Sequence, residues 1–208
     1  MKDNFGLVDT LDRLFAGDAR SLLSLDEFLE GLQGRSYAFA IAALNLPNCV
    51  PTGIPWLSTV TGLPMVYLMV QFFAGRPVPS LPAFIGKRGI HRGKLQRFLD
   101  RTRRFLGWLE QTIHARAEGW VNGVARRALL LALAANIVIL ALPIPFDNFL
   151  PAWAILFFCL ALIEDDGIMA MLGWLFSVLT VLWTAFLLML GHAAISTVAG
   201  AIRRLVFD

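Results

Sequence analysis

Two long apolar runs of the chain are each interrupted by proline and asparagine. The first run, residues 36–76, contains NLPNCVP, and the second, residues 128–167, contains PFDNFLP. Proline ends or kinks a helix because it lacks an amide hydrogen and its ring clashes with the preceding turn. The pattern therefore predicts two helical hairpins, each with a Pro/Asn break between its limbs.

The two breaks can be aligned with each other. Asn48 and Pro51 in the first break correspond to Asn148 and Pro151 in the second, and similar Ala/Leu/Ile segments precede both. This correspondence indicates an internal repeat, direct or inverted. Matching helices that are short or interrupted by proline are the best sequence indication of a transporter's binding site.

The limbs of these hairpins are short for a membrane. A spanning helix needs about 20 residues, whereas the limbs at 36–50 and 151–163 have fewer. The hairpins are therefore expected to be re-entrant or to cross only partly. Residues 168–208 differ, because 168–190 suffice for one full transmembrane helix, with Gly191 as its expected end or bend.

The first 35 residues are predicted to face water. They include SLDE, whose Ser24 and Glu27 have the spacing of a capping box, followed by a short amphipathic helix that ends at Gly31 or Gly34. The sequence MKDNFGLVDT at the start lacks the basic region and apolar core of a cleavable signal peptide. Insertion is expected to use the internal helices.

Residues 77–127 form a basic connector. Apolar residues from Leu95 onward recur at helical spacing, and arginines occupy mostly the other faces. This pattern is typical of an amphipathic helix that lies on anionic lipid. The positive-inside rule then makes the loop 87–118 cytoplasmic. The basic residues expected at the membrane surface are Arg97, Arg101, Arg103 and Arg104.

The composition agrees with a membrane protein. Hydrophobic residues make up 57% of the chain and charged residues only 16%, against about 25% charged in ordinary soluble domains. The fold class predicted is an all-α membrane protein with two broken hairpins, a basic interfacial helix and a long C-terminal helix. Nucleic-acid binding is not favoured, because the basic run lies beside apolar segments.

These segments resemble a known family. The chain is similar to the exopolysaccharide synthesis protein ExoD family of bacterial inner-membrane proteins. Three consecutive parts carry the similarity: ALNLPNCVPTGIPWLSTVTGLPMVYLMVQFFAGRPVPSLPAFI, the basic helix, and LPIPFDNFLPAWAILFFCLALIEDDGIMAMLGWLF. The resemblance covers about residues 20–190. It implies a multi-pass inner-membrane protein linked to exopolysaccharide production, and it brings no catalytic residues. Asp147 departs from the small or apolar residues expected around the second break.

Candidate site residues follow from the polar groups inside the apolar runs. An asparagine can cap a broken helix end, or it can line a substrate cavity. Asp147 is either an intramembrane functional acid or a solvated loop residue. The substrate-lining hypothesis names Pro47, Asn48, Pro51, Gln71, Asp147, Asn148 and Pro151.

Three functions remain open at this stage. The first is a small transporter or flippase-like protein, completed as a homodimer, that acts on a lipid-linked precursor, a polysaccharide precursor or an ion. The second is an accessory protein that binds exopolysaccharide assembly proteins through its basic helix. The third, an intramembrane enzyme, would need Asp147 or Glu164. No catalytic motif, metal-ligand spacing or cofactor motif is present, so no cofactor is expected.

Overall fold

The computed structural model is mostly helical. It describes residues 12–14, 16, 18, 20–50, 56–81, 89–93, 95–97, 100–101, 120–144 and 146–207. Its helices and strands are β1 (Leu22–Ser24), α1 (Leu25–Gly31), α2 (Ser36–Asn45), α3 (Leu57–Phe73), β2 (Gly89–His91), α4 (Gly123–Ala141), α5 (Phe149–Glu164) and α6 (Gly167–Phe207). Short 3-10 turns lie at Gln33–Arg35 and Leu46–Cys49. The predicted helical class is confirmed.

The N-terminal segment begins its first helix with the predicted capping box. The Ser24 hydroxyl accepts from the Glu27 amide, and the Glu27 carboxylate accepts from the Ser24 amide, both at 3.2 Å. These bonds satisfy amides that the first turn of α1 would otherwise leave open. Just before α1, β1 pairs antiparallel with β2, so this segment is joined to the start of the basic region.

Helix α5 lies at the centre of the bundle. It packs against α2, α4 and α6, and α3 packs against α2 and α4. Small residues and Phe158 on α5 are fully buried. Gly173 of α6 allows this packing, since a Cβ there would lie 2.4 Å from the Phe158 ring. The core is therefore built around a helix that exposes little of its own surface.

The turn between α5 and α6 is tight and acidic. Asp165 adopts a left-handed conformation with φ of 52° and ends α5. The Asp166 carboxylate then accepts from the Ile168 amide at 2.7 Å in the first turn of α6. The acids of EDDG thus end one helix and begin the next.

Helix α6 is longer than expected. It runs from Gly167 to Phe207 and passes through Gly191 without interruption, so the prediction that the helix ends at Gly191 is wrong. A glycine inside a helix costs only about 1 kcal/mol relative to alanine. The favourable helix formers on both sides of Gly191 outweigh that cost.

The two hairpins run in the same sense. The start of α2 lies near the end of α3, where the Tyr37 hydroxyl donates to the Val78 carbonyl at 3.2 Å. The start of α4 lies near the end of α5, where Arg126 pairs with Asp165. One small cleft is lined by both Tyr37 and Arg126. We call the end of the bundle that holds this cleft the charged end. Helices α2 and α4 both start there, so the hairpins are not inverted relative to each other.

The outer surface of the bundle is apolar. Gly123–Ala141 and Gly167–Ala193 are long and apolar enough to cross a membrane, and only 28% and 22% of their windows are buried. Side chains such as Leu131, Leu182 and Met189 are 63%, 63% and 72% exposed. Exposed apolar patches of this extent mark a surface that contacts something other than water. Both helices are consistent with a membrane protein.

Candidate functional site

Both Pro/Asn breaks lie at the same end of the bundle, opposite the charged end. The Asn45 side-chain amide, at the end of α2, donates to the Ala152 carbonyl at 2.7 Å. The Cys49 thiol in the first break lies 3.8 Å from the same carbonyl. Ala152 is in the first turn of α5, directly after the second break. We call this region the break end.

Asn48 closes the first break onto the next helix. Its side-chain amide donates to the Thr61 hydroxyl at 2.8 Å, and that hydroxyl donates to the Leu57 carbonyl at 2.9 Å. Asn48 is buried, whereas Pro47 is exposed. Pro51 lies outside the described residues. The Asn48 amide therefore holds the break against α3 through a contact between two side chains.

Asn148 occupies a different position in its hairpin. It is the N-cap of α5, its side chain makes no capping bond, and its carbonyl accepts from the Ala152 amide at 3.2 Å. Pro151 is buried in the first turn of α5, where a helix amide has no partner inside the helix and the missing hydrogen costs little. Asn48 follows a helix and Asn148 precedes one, so the two aligned residues do not make equivalent contacts.

Asp147 is the most unusual polar group at this end. Its side chain is 1% exposed. Its Oδ2 accepts from the Thr184 hydroxyl of α6 at 2.7 Å, and its Oδ1 has no partner among the described residues. Burial raises the pKa of the Asp147 carboxyl above its ordinary value, and the Thr184 hydroxyl opposes that rise. The carboxyl is therefore held where its charged form is disfavoured.

The loop that carries Asp147 is fixed to α6 at a second point. The Trp183 indole donates to the Phe146 carbonyl at 3.0 Å. Phe146 itself has a φ of 63°, a left-handed conformation that is uncommon outside glycine and asparagine. Adjacent residues of α6 thus hold adjacent residues of the loop, one of them strained.

Asn45 belongs to the break end, although the sequence analysis did not select it. It is fully buried, and its Oδ1 has no partner in the described part of the chain. A second missed residue, Asn136 of α4, is also buried and donates to the Ser177 hydroxyl at 2.7 Å. The available signal was a carboxamide within an uncharged apolar run, the same signal that selected Gln71.

Gln71 lies away from the breaks. Its side-chain amide donates to the Ser80 carbonyl at 3.0 Å, and its side-chain oxygen accepts from the Ser80 amide at 2.7 Å. Gln71 is near the end of α3, and Ser80 is in the proline-rich connector. Both functional atoms of this side chain are used to hold the connector at the charged end.

The basic surface is only partly described. Arg97 and Arg101 are exposed, and the Arg97 guanidinium donates to the Gly93 carbonyl at 3.0 Å. Arg103 and Arg104 lie outside the described residues. The described parts of 92–101 are helical, as the amphipathic pattern predicts for the start of that helix.

The described residues form a cleft at the charged end and no metal site. The cleft is about 20 Å³ and lies between Tyr37, Met69, Leu133 and Leu162, with Arg126 on its polar side. That volume is enough for about one water molecule. Within the described ranges, no three His, Cys, Asp or Glu side chains are close enough to hold a metal ion.

These features define a helical bundle of membrane-protein type with two polar breaks at one end. A family model described as "Exopolysaccharide synthesis, ExoD" matches residues 7–186, and the chain belongs to that family. The resemblance stated from the sequence is thereby confirmed.

Two relatives agree with this assignment. "Protein ExoD" of Rhizobium meliloti (strain 1021) is 30% identical over 93% of this chain and 81% of its own length. An uncharacterized protein of Synechocystis, slr1875, is 27% identical over 81% of this chain and 80% of its own length. No solved structure matches the chain. The family name links this protein to exopolysaccharide synthesis.

Proposed function

We propose that this protein is a multi-pass inner-membrane transporter that serves exopolysaccharide synthesis or export, with its site at the break end. The observation that carries the proposal is a pair of buried side chains there, Asn45 and Asp147, each with an oxygen that has no partner among the described residues. Leaving a buried polar atom unpaired costs about 1–3 kcal/mol. Asn45 and Asp147 differ from Asn136 and Asp166, which also have such an oxygen, in lying beside the two Pro/Asn breaks.

Helix lengths support several crossings. At 1.5 Å per residue, α3, α4 and α5, with 17, 19 and 16 residues, are about 24–28 Å long. Helix α2 and the 3-10 turn after it have 10 and 4 residues, or about 23 Å together. These lengths approach the ~30 Å of bilayer hydrocarbon. Limbs that nearly match the membrane favour crossing over re-entry.

The distribution of charge supports one orientation. The helices at the charged end are flanked by Arg35, Arg76 and Arg126. Asp147 is the only formally charged residue between 128 and 163, and it lies at the break end. Arginine next to transmembrane helices favours the cytoplasmic side. The charged end, with the basic loop 87–118, would then face the cytoplasm and the break end the periplasm.

The unpaired oxygens at the break end bear on the substrate. Those of Asn45 and Asp147 can accept a proton or contact a small cation. A lipid-linked or polysaccharide precursor would need a pathway completed by a second copy of the chain. A single chain fits an ion better.

The site can be tested with Asn45→Leu. Leucine has the same number of side-chain heavy atoms and removes the unpaired oxygen together with the bond to the Ala152 carbonyl. We expect a less stable but folded protein at normal level, and a loss of exopolysaccharide output in cells that contain only the variant. Asn136→Leu, which changes a buried carboxamide facing Ser177 instead, is the matched control and should keep output. Normal output with Asn45→Leu at normal protein level would contradict the proposed site.

A second function, as an accessory protein that binds the exopolysaccharide machinery, is favoured by the exposed arginines of the basic segment. Arg97 and Arg101 are both exposed. The double variant Arg97→Gln/Arg101→Gln should then reduce capture of an assembly protein while the Asn45→Leu variant leaves capture unchanged. Equal capture by both variants would remove this alternative.

A further inference from the structure

The loop between α4 and α5 holds a carboxyl group with almost no access to solvent. Asp147 is 1% exposed, and its only described side-chain bond is the 2.7 Å contact with the Thr184 hydroxyl. The second carboxyl oxygen is buried without a partner among the described residues. A buried ionised carboxylate needs a cation or several hydrogen bonds to offset its lost hydration.

No described cation is close enough to supply that compensation. Helix α6 contributes His192, which is exposed and eight residues, or about 12 Å, beyond Thr184. The other helices that meet at the break end have their charged groups near their far ends. The titratable groups on these neighbouring elements are Tyr37 on α2 and Cys49 after it, Tyr67 on α3, Arg126 and Arg127 on α4, and Cys159 and Glu164 on α5; α6 also carries Arg203 and Arg204, 19 residues or about 28 Å beyond Thr184 at the nearer one.

We propose that Asp147 is a proton-binding site, and that loss of its proton releases the 142–148 loop from α6. This inference rests on the transporter proposed above and names the proton as its ion. In the closed arrangement the carboxyl is neutral and paired with Thr184. On release, the O–H bond of the carboxyl breaks, the proton passes to water, and the carboxylate keeps the electron pair.

The loop is built in a way that suits such a release. The ionised carboxylate needs hydration that the closed site does not provide, since Oδ1 faces no described donor. Phe146 beside it is held at a φ of 63°, and such strain persists only while surrounding contacts maintain it. Two described side-chain hydrogen bonds join α6 to Phe146 and Asp147. When the Thr184 bond is lost, the bond from Trp183 to the Phe146 carbonyl remains.

The proton site can be measured by infrared spectroscopy on the full chain in lipid vesicles. The wild type should show a carboxylic-acid carbonyl band that persists above the pH at which ordinary aspartates ionise. Asp147→Asn should lose this band, and Asp147→Glu should keep a titrating band at a shifted position. Asp165→Asn, at the charged end and partly exposed, is the matched control and should leave the band intact.

Thr184→Val separates a proton site from a merely structural acid. The Thr184 hydroxyl stabilises the carboxylate, so its removal with nearly unchanged volume should move the band's midpoint to higher pH. Hydrogen exchange of the 142–148 amides, corrected for intrinsic pH dependence, should rise through the same midpoint in the wild type and be independent of pH in Asp147→Asn. Identical spectra and exchange profiles for wild type and Asp147→Asn would overturn the proposal.

These results are separable from the proposed transport. A titrating Asp147 in a protein whose Asn45→Leu variant keeps full exopolysaccharide output would leave the proton site standing and contradict the transporter. Loss of output in Asn45→Leu without a titrating band would contradict the proton site alone.

Discussion

The charged side chains that mark the two ends of this bundle differ in burial, since Asp147 at the break end is 1% exposed and the Arg126–Asp165 pair at the charged end is over a third exposed. At the break end, polar groups are buried and bonded inside the protein, as with Asn45 on the Ala152 carbonyl and Asp147 on Thr184. At the charged end, the Arg126–Asp165 pair is 3.5 Å long, with side chains 37% and 42% exposed. Desolvated groups interact more strongly than solvated ones. Changes at the break end should therefore have larger effects than changes at the charged end.

The largest expected effect comes from Gly62→Val, where α3 crosses α4 near the break end. A Cβ at Gly62 would lie 2.8 Å from the Ala141 Cα. Backbone atoms cannot move aside as a flexible side chain can, so we expect a loss of about 3 kcal/mol in the free energy of unfolding. Denaturant unfolding in detergent measures this loss.

The control for Gly62→Val is Gly191→Ala on α6, where a Cβ would meet nothing within 4 Å. Removing a helical glycine in open space should stabilise the protein by about 0.5–1 kcal/mol. If both variants change stability equally, the close helix crossing does not matter to the break end.

The next effect concerns the pH dependence of stability. Because burial raises the pKa of Asp147 in the folded protein, the folded state binds more protons than the unfolded state between the ordinary and the raised pKa. The free energy of unfolding should then fall as pH rises through that window. Thermal unfolding across pH should show this decline in the wild type.

Asp147→Asn should lack the decline, because the amide does not titrate. Asp165→Asn, which removes a carboxylate at the charged end, should keep it. A decline of equal size in Asp147→Asn would assign the pH dependence to other groups and weaken the contrast between the two ends.

Periodicity and proline positions predicted much of this fold. Local spacing of serine and glutamate predicted the capping box before α1, and apolar runs predicted the helical limbs, because each is set by local sequence. The sense of the hairpins was not predictable, because it depends on how α2 to α5 pack across the bundle. Neither was the continuation of α6 through Gly191, where neighbouring helix formers outweigh one glycine.

The candidate site was only partly predictable, for a related reason. A carboxamide in an apolar run shows in the sequence, but its partner does not. Gln71 and Asn48 were selected on the same signal. In the structure, Gln71 bonds to Ser80 of the proline-rich connector and Asn48 bonds to Thr61. Asn45 was overlooked beside the more conspicuous Asn48. The Asp147–Thr184 contact joins residues on separate elements that no local pattern relates.

A smaller effect is expected from Gln71→Ala at the charged end. The variant removes two hydrogen bonds to Ser80, so we expect a loss of about 1–2 kcal/mol and faster hydrogen exchange at 76–81. Gln71→Glu keeps an acceptor for the Ser80 amide but has no donor for the Ser80 carbonyl. Its free energy of unfolding should lie between those of the wild type and Gln71→Ala. If exchange at 142–148 rises instead, the two ends are coupled.

The smallest effect is expected from Arg126→Gln. An ion pair with both side chains over a third exposed contributes at most about 0.5 kcal/mol, because water and salt already solvate both charges. Denaturant unfolding at low and high salt should therefore differ little between the variant and the wild type. Asp165→Asn should behave in the same way, since it removes the other half of the same pair. A loss of stability as large as that of Gly62→Val would mean that the charged end is as desolvated as the break end. Contact with lipid head groups or with a second copy of the chain could cause this. The contrast between the two ends would then fail.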